Sequence, residues 1–464
     1  MASLARWRDS VKQNLAIDPT YGRVLSKERI ESFCRGAGHR WRPSFWNPAV
    51  TVWTFLFQVL DGAKTLRSAV ATRLVQGPPS ESQAFPSADP AAYCQARRRL
   101  PIETILELLN HLTQRLRGLV TPGTSWHGHR LFVVDGSGAS MPDTPALQQA
   151  FPQPSGQKKG CGFPVAQFVA LFCWTTGAIV DVVIDSIIPH EITLFRKLWH
   201  HFQPADVVLG DRAYGSYVDL ARLRQRGVFA VCRLHQRRSA DFHAGRRLGH
   251  DDQLVDWSRP EQWIPSCGID REEFEQLPET LTVRQVRITQ GTAGFRSRTL
   301  VVVTTLLDPI EIPADEIRAL YRDRWTVELN LRSLKTQLGM DLLRGHSPDI
   351  VRKEIAMHLL AYNLIRLLMW QAAREHGRDL HRLSFTGTLH RLRAAWSTPT
   401  RSRRPDQLEG RDLMEHLLVW IAGDLVPHRP NRFEPRRRKR RPKQFSLLQQ
   451  PRSYYHQHGD QLAR

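Results

Sequence analysis

The segment "YRDRWTVELNLRSLK", Tyr321 to Lys335, carries a phenol, a guanidinium, a carboxylate and an ammonium at a spacing that aligns them. On an ideal helix Tyr321, Arg324, Glu328 and Lys335 fall within about 60° of one another. Leu320, Val327, Leu331, Leu334 and Leu338 form an apolar face about 80° further round, so the stripe is expected at the margin of a core, where a cleft can open. There Glu328 could reach a metal ion, while Arg324, Lys335 and Tyr321 could face phosphate oxygens. Standing alone, the stripe reads first as an ion-pair face, because Arg324 and Glu328 have the i,i+4 spacing.

Two other carboxylates end short apolar runs: Asp135 in "RLFVVDG" and Asp211 in "ADVVLGDRAYG". Each has an ordinary reading, an Asx-turn for Asp135 and an ion pair with Arg212 or a helix cap for Asp211. Converging in a cleft, three carboxylates cannot all ionise unless cations neutralise them. Hard divalent ions do so, and Mg2+ takes a few carboxylates plus substrate phosphate. Two such ions can clamp the attacking and leaving oxygens of a phosphoryl displacement. The Gly-Ser-Gly after Asp135 lacks the third glycine of a dinucleotide fingerprint. "HEITL", His190 to Leu194, starts like a zinc-protease motif but has leucine where the second histidine belongs, which excludes that chemistry.

Composition narrows the partner. The 464 residues suit two to four domains, and 66 Lys and Arg against 45 acids give a net charge of +21 and a pI near 10.4. Such an excess, mostly arginine, favours a polyanion, and nucleic acid is the commonest inside a cell. The longest apolar run, Val50 to Leu60, is too short to span a bilayer, and no basic helix with an aromatic face suggests a membrane surface. The N-terminus has no signal core and the six cysteines form no CxxC pair, so a reduced, cytoplasmic setting is expected.

Several elements must position these groups. Residues 1–75 have helical apolar spacing, followed by a Pro- and Ser-rich stretch from Gln76 to Ala92. An amphipathic helix begins near Pro101, preceded by Arg97, Arg98 and Arg99, which could touch phosphates or form a solvated basic turn. From residue 128 the period becomes that of strands, with one strand ending at Asp135, a hairpin turning at Thr175-Thr176-Gly177, and another strand ending near Asp211. Residues 236–280 look polar and irregular, then "LTVRQVRIT" and "RTLVVVTTL" form a β pair. Long helices follow, Ile317 to Leu338 and about Pro348 to Glu375. The last 37 residues hold 11 Lys and Arg, including Arg436 to Arg441, and read as a disordered basic tail.

The pattern Tyr-x2-Arg-x3-Glu-x6-Lys at 321, 324, 328 and 335 resembles the YREK signature of bacterial DDE transposases of the insertion-sequence-four family. "VVDGSG" and "VVLGDRAYG" look like that family's two aspartate motifs, and the separations of 76 and 117 residues fit as well. The resemblance covers about residues 93–370. It implies an α/β fold: a ribonuclease-H-like, mixed-sheet catalytic core with a β-strand insertion, plus an N-terminal helical domain. The implied domains are 1–125, N-terminal helical and DNA-binding; 126–235, the first part of the core; 236–312, the β-rich insertion; 313–395, the second part with the glutamate helix; and 396–464, a C-terminal region with the basic tail.

The resemblance further implies that Asp135, Asp211 and Glu328 form a catalytic triad holding two Mg2+ ions, with Mn2+ able to substitute, and that Tyr321, Arg324 and Lys335 contact the DNA backbone. In relatives a flipped base stacks on an insertion-domain aromatic; Trp257 or Trp263 could do that, though a packed tryptophan is the ordinary alternative. The implied activity is cut-and-paste transposition: strand cleavage at the ends of a double-stranded DNA element and transfer to target DNA by a homodimer, in a bacterial cytoplasm and at the nucleoid. Two other readings remain open from sequence, a non-transposing metal nuclease and an inert DNA-binding protein.

Overall fold

Nine strands between residues 131 and 304 build one mixed sheet in the order β3-β2-β1-β4-β5-β9-β8-β7-β6. They are β1 (Leu131–Ser140), β2 (Val165–Cys173), β3 (Ile179–Ser186), β4 (Val207–Gly210), β5 (Phe229–Arg233), β6 (Arg246–Gly249), β7 (Asp252–Ser258), β8 (Thr280–Gln290) and β9 (Arg298–Thr304). The computed structural model describes residues 24–76, 87–290, 298–397, 410–427 and 448–458. Residues 77–86 of the Pro- and Ser-rich stretch, and the run Arg436 to Arg441, lie outside the described residues.

The chain divides into two units, one of residues 120–138, 151–331 and 429–464, the other of 1–119, 139–150 and 332–428. The expected segment 313–395 is therefore shared between them.

In the first unit β4 is buried at every position and β1 over its first four, the continuous apolar run of a strand covered on both faces. β4 runs parallel to both β1 and β5. The Leu131 carbonyl accepts from Trp174 N–H, while Gly138 lies against Val165, so β2 runs opposite to β1. The hairpin β2–β3 turns at Gly177, whose φ of +64° favours glycine. The order 3-2-1-4-5 with β2 reversed is the α/β, ribonuclease-H-like mixed sheet that the sequence implies. β1 does not end at Asp135, as expected, but continues to Ser140.

The core of this unit gathers Phe132, Val134, Val169 and Val208 from the strands with Leu194, Phe195, Leu220 and Leu223 from the helices Glu191–Arg196 and Tyr217–Gln225. Burying each such side chain contributes about 1.5–3 kcal/mol.

The supposedly irregular stretch 236–280 in fact holds β6 and β7, and β6-β7-β8-β9 form an antiparallel meander that joins the core sheet through β5. β7 finds its partner some 30 residues downstream, with Asp252 opposite Val286, and nothing local announces it. Arg284 on β8 is fully buried, forks onto both Asp252 carboxylate oxygens at 2.8 and 2.6 Å and donates to the Ile312 carbonyl at 2.7 Å.

The expected helix Ile317 to Leu338 is interrupted. It runs as Ala314–Asp323 and Trp325–Arg332, with Arg324 between them still right-handed at φ −49°, ψ −27°. A π-helical turn, Ser333–Gln337, then ends in Gly339 at φ +68°, with Leu338 N–H bonded to the Ser333 carbonyl at 2.9 Å. A π turn is wider than an α turn, so the spacing of about 100° per residue that aligned Lys335 with the other three does not hold past Arg332.

The second unit is helical. Its axis is Pro348–Glu375, started by Pro348 and the Ser347 cap on Ile350 N–H and buried over most of its surface. Ile102–Gly118, Pro48–Leu60 and Gly410–Gly423 pack on it. Leu100 is extended at ψ 122° before Pro101, which cannot follow a helical residue comfortably. Arg97, Arg98 and Arg99 therefore do not form a turn; they close a separate helix, Ala91–Arg99.

Candidate active site

Hydrogen-bonded partners on β1 and β4 differ by 76 in residue number: Leu131 with Val207, Phe132 with Val208, Val133 with Leu209. Asp135 and Asp211 keep that offset two residues past the last pair, and the Asp211 charge acts on Asp135. The Asp135 Oδ1 accepts its neighbour Gly136 N–H at 3.0 Å. Asp211 remains extended at the end of β4 and caps the short turn Arg212–Tyr214 by accepting Ala213 N–H at 2.7 Å. Asp211 thus makes the cap contact of its ordinary reading, whereas Asp135 forms no Asx-turn: it bonds the N–H of the next residue rather than the one after, and β1 continues through it to Ser140.

A third carboxylate, which sequence reading missed, stands between the two motifs. Glu191 opens the helix Glu191–Arg196, and a Cβ placed on Gly136 would meet its carboxylate at 2.3 Å. The Tyr214 hydroxyl donates to Glu191 Oε1. The tyrosine is buried in turn against Gly210, where a Cβ would lie 2.8 Å from its own Cβ. The only sequence signal was "HEITL", weighed against zinc-ligand spacing alone.

Cations reach this cluster from the segment 321–324. Tyr321 is 7 % exposed, and the Arg324 guanidinium lies over its ring at 5.6 Å. Burial pushes the Tyr321 phenol up to about 12 against the pull of Arg324. Burial likewise pushes the Asp135 carboxyl up to about 6; Arg324 and the Gly136 N–H pull it down, while the charges of Glu191 and Asp211 add to the rise. Carboxylate oxygens gathered around Asp135, whose own ionised form the neighbouring charges disfavour, are donors of the kind a hard divalent cation takes. The backbone of Glu328 lies on Trp325–Arg332, one turn beyond Arg324; its side chain lies outside the described residues.

Residues 126–364 match the family described as "Transposase DDE domain". The chain belongs to this family of transposases. It is 27 % identical over 400 residues to "Transposase InsG for insertion sequence element IS4" of Escherichia coli (strain K12), a match covering 84 % of this chain and 85 % of that one. Among solved structures it is similar to "Cryo-EM structure of piggyBac transposase synaptic complex with hairpin DNA", with a TM-score of 0.43 and 9 % identity over 86 % of this chain and 84 % of that one. Its activity is metal-dependent DNA cleavage and strand transfer.

The other expected contact residues of the transposase fall in varied places. Arg97 is only 8 % exposed: it lies over Phe55 at 4.8 Å and donates to Gln58 Oε1 at 3.1 Å, so it packs in its own unit, whereas Arg98 and Arg99 are exposed. Lys335 lies in the π turn of the helical unit. Trp257 is 6 % exposed, within the core, with Arg238 over its ring at 3.9 Å. Trp263 is half-buried and donates its indole N–H to the Ile269 carbonyl at 2.9 Å.

Among the described residues one group has metal-ligand atoms all within 4.8 Å of one another, Asp181 with His200 and His201. It differs chemically from the aspartate pair: His201 Nε2 bonds Asp181 at 2.7 Å, and two imidazoles suit softer ions than Mg2+. No helix among the described residues is long and apolar enough to cross a membrane.

Proposed function

We propose that Asp135, Asp211 and Glu328 hold two Mg2+ ions, with Mn2+ able to substitute, and that this centre cuts double-stranded DNA at element ends and joins the freed ends to target DNA. The observation that supports this reading is the 76-residue offset that Asp135 and Asp211 share with the β1–β4 pairs, with Asp211 and Arg324 both acting on Asp135 and Arg324 lying on the segment that leads to Glu328. The bound metal would supply an activated water and offset charge on the scissile phosphate. Asp135 and Asp211 provide hard oxygen ligands from two adjoining strands. Arg324, steadied over the Tyr321 ring, holds a backbone phosphate, and Tyr321 is the support beneath it.

Lys335, Arg98 and Arg99 add phosphate contacts, and the N-terminal helical region contributes to end recognition. Arg97 acts through packing. Of the two tryptophans, Trp263 has ring surface left for a flipped base, whereas Trp257 is covered by Arg238. A homodimer bridging two DNA ends, working in the bacterial cytoplasm at the nucleoid, completes the proposal.

The test is a cleavage assay on DNA carrying the ends that flank the gene, in Mg2+ and in chelator, with the unaltered chain and Glu328→Gln. Metal-dependent nicking at the boundary, lost in the variant while DNA binding persists, is the expected result. Equal nicking by both proteins would move the active site elsewhere.

A further inference from the structure

We propose that Glu191 is a fourth carboxylate of the metal-holding centre, seated between the two aspartate motifs by Gly136 on one side and Tyr214 on the other. This rests on the reading of Asp135 and Asp211 as metal ligands.

The geometry comes from both motifs at once. Gly136 has no positive φ, so the backbone does not demand glycine there. Space does: the Glu191 carboxylate occupies the place a side chain would take, 2.3 Å from an added Cβ. The carboxylate therefore lies against the residue next to Asp135. On its other side the Tyr214 hydroxyl, three residues after Asp211, donates to Oε1, and Gly210 leaves room for the tyrosine ring. The glycine and tyrosine that flank the aspartates in "VDGSG" and "GDRAY" thus share one task, holding this carboxylate at the centre.

One hydrogen bond from Tyr214 occupies Oε1, leaving Oε2 with lone pairs for a cation. Four carboxylates would match the four positive charges of two divalent ions, which three would not. If Glu191 served only to anchor Tyr214, a glutamine carbonyl could accept the same hydroxyl, and the charge would be dispensable.

That contrast sets the experiment. Mn2+ binding to the full chain is measured by electron paramagnetic resonance without DNA, for the unaltered protein, Glu191→Gln, Tyr214→Phe and Asp135→Asn. The proposal expects Glu191→Gln to weaken Mn2+ binding by about ten-fold or more while thermal unfolding in chelator stays close to that of the unaltered chain. Tyr214→Phe, which keeps the charge and loses its anchor, should weaken it less. If Glu191→Gln fails to fold, Glu191→Asp, which keeps the charge on a shorter stem, takes its place and should bind Mn2+ more weakly but measurably. Unchanged Mn2+ affinity in Glu191→Gln beside a clear loss in Asp135→Asn would overturn the role of Glu191 alone. Unchanged affinity in both would overturn the reading of the centre on which it rests.

Discussion

Asp135 on β1 and Asp211, the residue that follows β4, are separated in sequence by the same 76 residues as every hydrogen-bonded pair between these parallel strands. The spacing between the two motifs is therefore a register. An insertion or deletion between them leaves the site intact only if it lies in a loop and β4 keeps its pairing; a one-residue slip of β4 would turn its side chains to the other face. The Arg324 charge and the Glu191 carboxylate complete the surroundings of Asp135.

The raised Asp135 carboxyl predicts a pH effect on stability without metal. With a folded value of about 6 against an ordinary value of about 4, the folded chain holds this proton over a range where the unfolded chain has released it. Stability in chelator should therefore fall as pH rises from about 4 to about 6 and then level off. Asp135→Asn should remove that fall and be more stable than the unaltered chain at about pH 7, by about 1–2 kcal/mol once solvent screening is allowed for. Thermal unfolding at several pH values checks this; identical profiles for the two proteins would contradict it.

Gly136→Ala should act on Glu191 rather than on the backbone. The new methyl meets the end of a movable side chain, so the fold should lose only about 1 kcal/mol or less while the Glu191 carboxylate is pushed aside. Mn2+ affinity should then fall in the direction expected of Glu191→Gln. Affinity equal to that of the unaltered chain, with a normal melting profile, would show the carboxylate to be irrelevant to the ion.

The three neighbouring arginines should separate by mechanism. Arg98→Ala and Arg99→Ala should each reduce the slope of log affinity for DNA against log salt by about one phosphate contact, with little change in melting temperature. Arg97→Ala should do the reverse, because its guanidinium packs on Phe55 and bonds Gln58. Salt titrations paired with melting curves decide it, and a slope change from Arg97 alone would contradict the assignment.

Arg284 is expected to be structural, despite standing in an arginine-rich β pair. Arg284→Met leaves the buried Asp252 charge unpaired and should cost about 3–5 kcal/mol, whereas joint replacement of Arg284 and Asp252 by apolar residues should recover much of it. Denaturant unfolding of the single and double variants reads this out; equal losses from both would argue against the pair.

The strands that carry the two aspartate motifs were legible because each aspartate follows a short apolar run, and such runs become buried parallel strands whose ends face the same way. Glu191 was illegible for the opposite reason. Its partners, Gly136 and Tyr214, come from two other segments, and only the folded sheet brings them together. Within the arginine triplet charge carries no helical phase: Arg97 stands four residues after Tyr93 on one face, and that face is buried, while Arg98 and Arg99 are exposed. The stripe from Tyr321 to Lys335 assumed one ideal helix. The interruption at Arg324 and the π turn after Arg332 have no marker as plain as a proline; only Gly339 announces the end.

The most direct measurement is a metal-swap cleavage assay with Asp135→Cys and Asp211→Cys on DNA bearing the element ends, in Mg2+ and in Mn2+. Thiolate disfavours Mg2+ more than it disfavours Mn2+. If both aspartates hold the metal, both variants should be inactive in Mg2+ and regain cutting at the element boundary in Mn2+. Cutting in Mg2+ at the rate of the unaltered chain would contradict the central claim.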